Sequence, residues 1–318
     1  MRILITGASG FVAGHLIEYI SQVVSPVEIS GLVRPGSCYS QTKKLTERIR
    51  VVEGDVRDLR SLLQVLTDFR PDRIFHLASL SSTDSSHNMA CAFMDTNVMG
   101  TVNLLEALRE LKLQPRVLVA TSAEAYGLVY SDELPVKETA VFRPLSPFAV
   151  SKAAQDLLGF QYFKCYGLPI VRARIFSPVG PGQPPHYQIS SLAWQIAEIE
   201  KKKREPLIKV ANLENKRDYL DVRDLVRALW LILEKSEPGE VYNVGSGQAW
   251  SGHEILKLMQ GLTRAKMVIE TEDPKSRFPE PPILLADITR LVKLTGWKPQ
   301  LNLKQSILDL LNYWRETA

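Results

Sequence analysis

The chain opens on a short apolar run, Ile3-Leu4-Ile5, whose lack of polar alternation predicts a buried strand. Thr6-Gly7-Ala8-Ser9-Gly10-Phe11-Val12-Ala13-Gly14 follows, and helical spacing then takes over in His15-Leu16-Ile17-Glu18-Tyr19-Ile20. Further apolar runs at 27–33, 50–55, 73–78, 117–122 and 169–174 predict five more strands, with a helix over 151–166. Strands alternating with helices at this pace predict an α/β protein with a doubly wound parallel sheet of the Rossmann type.

The texture changes at Phe176. Proline and glycine dominate Pro178-Val179-Gly180-Pro181-Gly182-Gln183-Pro184-Pro185, which predicts an exit from the first domain. A helix over 189–203 and the segment 207–215 then form a lobe above the sheet. A helix over 221–233 and a strand over 241–244 return to the main body, and the chain from 248 is helical and loop-rich. The expected division is a cofactor-binding domain of 1–174 plus 219–247 and a smaller, largely C-terminal substrate-binding lobe of 175–218 plus 248–318.

Composition narrows the class without naming a chemistry. With 45% hydrophobic and 23% charged residues in 318, the chain has ample material for a soluble core. Its net charge of +4 is small, and the densest basic run, Lys201-Lys202-Lys203-Arg204, reads as the solvated end of a helix. Nucleic acid is therefore not expected as a partner. No apolar stretch reaches the ~20 residues of a membrane span, and no signal peptide precedes the first strand. Cys38, Cys91 and Cys165 have neither metal-ligand nor disulfide spacing. A cytoplasmic protein without a metal is expected.

Candidate chemistry begins at the glycine turn. Gly7 allows the tight turn, Gly10 a close approach of backbone to a pyrophosphate, and Gly14 packing of helix on strand. Ser9, Phe11 and Val12 stand at the helix N-terminus, whose N–H groups and dipole suit phosphate. The spacing is G-x-x-G-x-x-x-G, and a purely structural turn uses the same residues, but the strand–helix context favours a nicotinamide cofactor. Arg34 ends the second strand, where an acidic residue would bind a ribose 2′-hydroxyl. An arginine there argues for NADP(H) over NAD(H). Asp55 and Val56 end the third strand, with Asp55 within reach of the adenine edge, and Leu77 and Ala78 end the fourth as further cofactor contacts. His76, inside an apolar strand, reads as a satisfied core histidine.

Ser122 ends the fifth strand, followed by Glu124 and Tyr126, and Lys152 stands in the helix after Pro147-Phe148-Ala149-Val150-Ser151. This pattern resembles the extended short-chain dehydrogenase/reductase family, whose members act mostly on nucleotide sugars. The resemblance runs end to end. The stretch Arg143-Pro144-Leu145-Ser146-Pro147-Phe148-Ala149-Val150-Ser151-Lys152 is similar to the R-P-x-S-P-Y-x-V-S-K of the GDP-mannose branch. Gly180-Pro181-Gly182-Gln183, Asn212-Leu213-Glu214, Arg217-Asp218-Tyr219-Leu220-Asp221-Val222-Arg223-Asp224, Arg277 with Glu280 and Pro282, and Thr295-Gly296-Trp297-Lys298-Pro299 fit the same branch.

The resemblance implies NADPH-dependent reduction of the 4-keto group of a GDP-4-keto-6-deoxy sugar, giving GDP-rhamnose. Ser122 would hold the carbonyl oxygen and Lys152 the nicotinamide ribose, while a tyrosine four residues before the lysine exchanges the proton. That tyrosine position is Phe148, a ring with no ionisable group, so impaired turnover is expected, by ~10²- to 10⁴-fold. Three readings of Phe148 stand open: a substitution made to trap a complex, a natural homologue whose proton comes from Glu124, Tyr126 or water, and a non-catalytic nucleotide-sugar-binding protein. With Glu124 as a base, a GDP-mannose 4,6-dehydratase-type lyase is the alternative activity, beside other nucleotide-sugar dehydratases and epimerases.

Substrate contacts are expected from Ser81, Ser122, Glu124, Ser177, Lys209, Arg217, Arg277 and Glu280. Arg217 and Arg277 would clamp the diphosphate with two guanidinium forks, or else form structural ion pairs with Asp218 and Glu280. Asp218 and Asp221 read as structural. Two departures stand out: Ser177 where the family carries asparagine, and Phe278 where proline is common. The family also implies a homodimer through the helices holding Asn97 and Lys152, although Ala154, Leu157, Leu158 and Gln161 on the second helix fit a core equally well. Asn97 itself is expected to support the active-site backbone.

Overall fold

Seven strands form one fully parallel sheet in a computed structural model that describes residues 1–37, 49–210, 213–271 and 279–317. The first half of the chain runs β1 (Arg2–Thr6), α1 (Phe11–Val23), β2 (Glu28–Val33), β3 (Arg50–Glu53), α2 (Leu59–Phe69) and β4 (Arg73–His76). Two single turns, α3 (Thr83–Ser86) and α4 (Ala90–Phe93), lead through a π-helical turn at Met94–Met99 into α5 (Gly100–Glu110). Then come β5 (Arg116–Ser122), short 3₁₀ turns at Ala123–Tyr126 and Ser131–Glu133, α6 (Pro147–Tyr166) and β6 (Ile170–Ile175).

The second half supplies β7 (Ser177–Val179), α7 (Gln188–Glu200), β8 (Leu207–Val210), β9 (Lys216–Asp221), α8 (Val222–Lys235) and β10 (Val241–Val244). It closes with β11 (Ala249–Ser251), α9 (Gly252–Gln260), β12 (Val268–Thr271), β13 (Ile283–Leu284), α10 (Thr289–Thr295) and α11 (Leu303–Thr317).

The main sheet is ordered β10-β6-β5-β4-β1-β2-β3. Its central strands are buried and mostly apolar because helices cover both faces. Leu16, Ile17 and Ile20 of α1 meet Leu225, Leu229 and Ile232 of α8 on one side. Leu62 and Leu66 of α2 pack with Leu104, Leu105 and Leu108 of α5 on the other. The predicted return of the chain is seen: β10 pairs with β6 in parallel and becomes the outermost strand on that side.

The lobe has its own core of Val179, Leu192, Ile196, Ile208, Ile255 and Leu310. Its strand β9 pairs with β7, β11 and β13, and β8 pairs with β12. The boundary expected at 219 therefore falls inside a strand that belongs to the lobe sheet.

Helix α6 sets the geometry of the site. Ser146 caps its N-terminus by accepting from Ala149 N, Pro147 occupies its first turn, and Gly167 ends it at φ 69°. The helix thus starts four residues ahead of the predicted 151, and Phe148 lies within its first turn, one helical repeat from Lys152.

Candidate active site

The carboxyl ends of β1, β2, β4 and β5 open into one cavity of about 620 Å³, roofed by the lobe. Its cofactor end is made by the glycine turn. Gly7 adopts φ +69°, and a Cβ there would stand 2.8 Å from the backbone N and Cα of Ala78. The turn between β1 and α1 can therefore lie against the end of β4 only with glycine at this position. Helix α1 starts after Gly10 with no side chain capping it, so its first N–H groups are left to a ligand. Ser9, Gly10, Phe11, Val12, Leu77 and Ala78 all line this end.

Arg34, Asp55 and Val56 line the cavity beyond them. The carboxylate of Asp55 is gripped by Arg57 at 2.7–3.1 Å, and this hydrogen bonding holds it below the usual carboxylate range. Arg57 also lines the cavity and escaped the sequence reading. It stands in a polar run after a strand, where no periodicity marks it.

The turn, the open helix end, the two guanidinium groups and Lys152 fit a dinucleotide. The side chain of Lys152 is buried, and its Nζ donates to the Ala120 carbonyl at 3.1 Å. Burial pushes its ammonium down to about 7. Below it, His76 is held between Thr6 Oγ1 at 2.8 Å and Thr101 Oγ1 at 3.0 Å. Burial and the Lys152 charge push its pKa down to about 3, so it is a neutral core residue, as predicted.

Asn97 is fully buried in the π-helical turn. It accepts from Leu80 N at 2.8 Å, and its amide donates to Ser151 Oγ at 2.8 Å and to Leu80 O at 3.0 Å. One side chain so ties the loop after β4 to α6. That matches its expected supporting role, but nothing in the sequence marks a π turn.

At the reacting end Ser122, Glu124 and Phe148 line the cavity together. Ser122 Oγ accepts from Glu124 N at 3.2 Å and keeps its own proton available to a ligand oxygen. Phe148 packs edge-on against Phe93, with Lys152 Nζ 5.9 Å from its ring centre. Withdrawal from solvent raises the pKa of Glu124, Arg217 opposes that rise, and Glu280 adds to it.

Tyr126, weighed as a proton source, is not at the cavity. It is fully buried, its hydroxyl donates to Asn243 Oδ1 at 2.6 Å and accepts from Arg174, and burial pushes it up to about 12.

Arg217, Glu280, Ser177 and Ser81 line the cavity as expected. Arg217 donates to Pro281 O at 2.8 Å and to Glu280 at 3.2 Å, so its ionic partner is Glu280 rather than the adjacent Asp218. Asp218 instead accepts from Ser246, Gly247 and Ala286, and Asp221 caps α8 and binds Arg223, both structural roles. Lys209 is not brought to the cavity. Its side chain is exposed on β8 while its backbone pairs with Gln195. Arg277, Phe278, Asn212 and Cys38 lie outside the described residues.

Two aromatic residues that the sequence reading missed complete the wall. Tyr187, at the N-terminus of α7, meets Ser81 Oγ at 2.6 Å across the cleft, and Tyr219 stands on β9. Among the described residues no cluster of His, Cys, Asp and Glu fits a metal, and no helix is long and apolar enough to cross a membrane.

The family model for GDP-mannose 4,6 dehydratase matches residues 4–310. A GDP-6-deoxy-D-mannose reductase from Pseudomonas aeruginosa is 31% identical over 313 residues, covering 98% of this chain and 97% of its own. Among solved structures, that of RMD from Pseudomonas aeruginosa complexed with NADPH superposes with a TM-score of 0.87 at 29% identity, covering 100% of this chain and 99% of the other. A UDP-glucose 4-epimerase from Thermus thermophilus in complex with NAD gives 0.88 at 25% identity, with 100% of both chains covered.

Proposed function

Because the chain belongs to the extended short-chain dehydrogenase/reductase family, in its GDP-mannose 4,6-dehydratase branch, we propose that it reduces the 4-keto group of a GDP-4-keto-6-deoxy sugar, forming a GDP-rhamnose-type product. The broader class is an NAD(P)-dependent nucleotide-sugar reductase or dehydratase. The observation that carries the finer reading is the meeting of Ser122, Lys152 and Arg217 in one cavity around Phe148.

In this reading 1–174 with the returning α8 and β10 hold the cofactor, and the lobe, including all of β9, holds the sugar nucleotide. Arg217 binds the diphosphate, exchanging Glu280 for a stronger anion. Ser122 donates to the 4-oxygen and concentrates negative charge there as it develops. Lys152 fixes the ribose beneath the reacting carbon. Bound NADPH supplies the hydride. Arg34, with Arg57 beside it, favours the 2′-phosphate form of that cofactor over NADH.

The lyase alternative needs Glu124 as an ionised base, whereas its surroundings favour the protonated acid. That supports reduction over dehydration. Phe148 cannot give or take a proton, so the rate is held down.

Val150, Leu157 and Phe160 are exposed on α6, and Met99 is exposed before α5. An apolar face of this kind supports a homodimer. Exposed thiols at Cys91 and Cys165 suit a reducing cytoplasm.

The test is NADPH oxidation with GDP-4-keto-6-deoxy-D-mannose, comparing the chain with its Phe148→Tyr variant. Tyrosine is expected to raise kcat by roughly 10²-fold. Equal rates would remove the claim of impairment, and silence from both would remove the substrate assignment.

A further inference from the structure

With a phenyl ring at position 148, a ketone oxygen held by Ser122 takes its proton from another side chain of the cavity or from water, and a side chain held beside it acts at higher effective concentration. Most candidates there are unsuited. Tyr187 is tied to Ser81 across the cleft, and burial pushes Tyr219 up to about 12. His186 is pushed down by burial and enters as the neutral base. Lys152 Nζ is bound to the Ala120 carbonyl beneath the ribose site.

Glu124 differs from all of them in where it stands. It lines the large cavity beside Ser122 and Phe148, and it also lines a second, separate void of about 10 Å³ behind it. That void is bounded by Thr83, His87, Ser146 and Glu280 among others, and it has room for about one water molecule. The Glu124 carboxyl makes no hydrogen bond to any described residue; the neighbouring charges act on it only through space. It is therefore free to turn toward either side.

We propose that Glu124 is the general acid for the sugar's 4-oxygen and that it recovers its proton from the side of His87, through the small void. The proposal rests on the reductive reading above and supplies the group that reading lacks. As the sugar's C4 takes up the hydride from NADPH, the carbonyl π pair moves onto oxygen and takes the carboxyl proton of Glu124. The products are an alcohol, NADP⁺ and a carboxylate. That carboxylate is then reprotonated by water in the void, which His87, itself half-buried, connects to solvent.

Among the described residues, the charges acting on Glu124 are Arg217 on β9 and Glu280 before β13, with His87 after α3 on the small void and Lys152 on α6 and Tyr219 on β9 lining the large one. Burial and Glu280 raise the pKa of the carboxyl against the pull of Arg217, a shift toward the proton-bearing form.

The experiment follows kcat for NADPH oxidation against pH with GDP-4-keto-6-deoxy-D-mannose, with NADPH binding by fluorescence as the check that each variant is folded. Glu124→Gln is expected to lower kcat by ~100-fold or more and to remove the fall of kcat at high pH. The same substitution in the Phe148→Tyr background should cost little, because the phenol then supplies the proton. His87→Ala should slow turnover and be rescued by added imidazole, which loss of packing alone would not allow.

Retention of rate and pH profile by Glu124→Gln would overturn the proposal, as would failure of imidazole to rescue His87→Ala. If Phe148→Tyr turns over and the unaltered chain does not, the acid role fails while the reductase reading stands. If both are silent, the reading fails and the acid role falls with it.

Discussion

The two ends of the cavity are built by different means. At the cofactor end the chain uses backbone. A left-handed glycine, an uncapped helix terminus and the ends of neighbouring parallel strands make the cradle within about eighty residues of sequence. At the sugar end it uses side chains brought from far apart: Ser122 and Glu124 after β5, Phe148 on α6, Arg217 on β9 and Glu280 before β13. A backbone cradle tolerates most substitutions around it. A side-chain constellation loses its chemistry with one ring, as Phe148 illustrates, while the cradle and the lysine stay in place.

That contrast can be broken at several points, in decreasing size of effect. In the Phe148→Tyr background, Ser122→Ala should lower kcat by ~10²- to 10³-fold with NADPH affinity unchanged, measured by steady-state kinetics and fluorescence titration. A parallel loss of NADPH affinity would mean that the two ends are not independent. Gly7→Ala imposes a positive φ on a residue with a Cβ and presses it into Ala78, so NADPH affinity should fall roughly 100-fold. Unchanged binding in that variant would remove the backbone account of the cradle.

Arg217→Leu should raise KM for the nucleotide sugar ~10- to 100-fold and leave NADPH binding intact. A change confined to kcat would instead place Arg217 at the reacting carbon.

The smallest effect concerns stability. Glu124 carries a raised pKa in the folded state, so its favourable contribution is fully present below the usual carboxylate range and is lost as pH rises through the raised value. Relative to the unaltered protein, Glu124→Gln should therefore gain Tm on going from pH 5 to pH 8, by of order 1–2 °C in calorimetry. A constant difference across that range would show that the carboxyl is not perturbed.

The same division explains what could be read in advance. Strands β1, β2, β4, β5 and β6 and the returning β10 are buried, and their apolar runs announce themselves between turn residues. Gly7 and Lys152 sit at fixed offsets from those strands, so both were legible. Tyr187 was not, since it acts through Ser81 in another segment and breaks no periodic pattern. Tyr126 misled for a related reason: two residues from Glu124 in sequence, its ring turns to the opposite side to meet Asn243 and Arg174. Lys209 misled because a lone cation in a lobe strand does not say which face it is on.

The placement of β10 has a consequence for modularity. The chain leaves the main sheet after β6, builds part of the lobe, returns to lay β10 along β6, and leaves again. A fragment cut where the first excursion begins would expose the full edge of β6 as a template for aggregation. Exchanging lobes between related chains to move specificity would thus require two grafts made together, on either side of α8 and β10. Recombination at a single crossover would leave one sheet unfinished and one lobe divided.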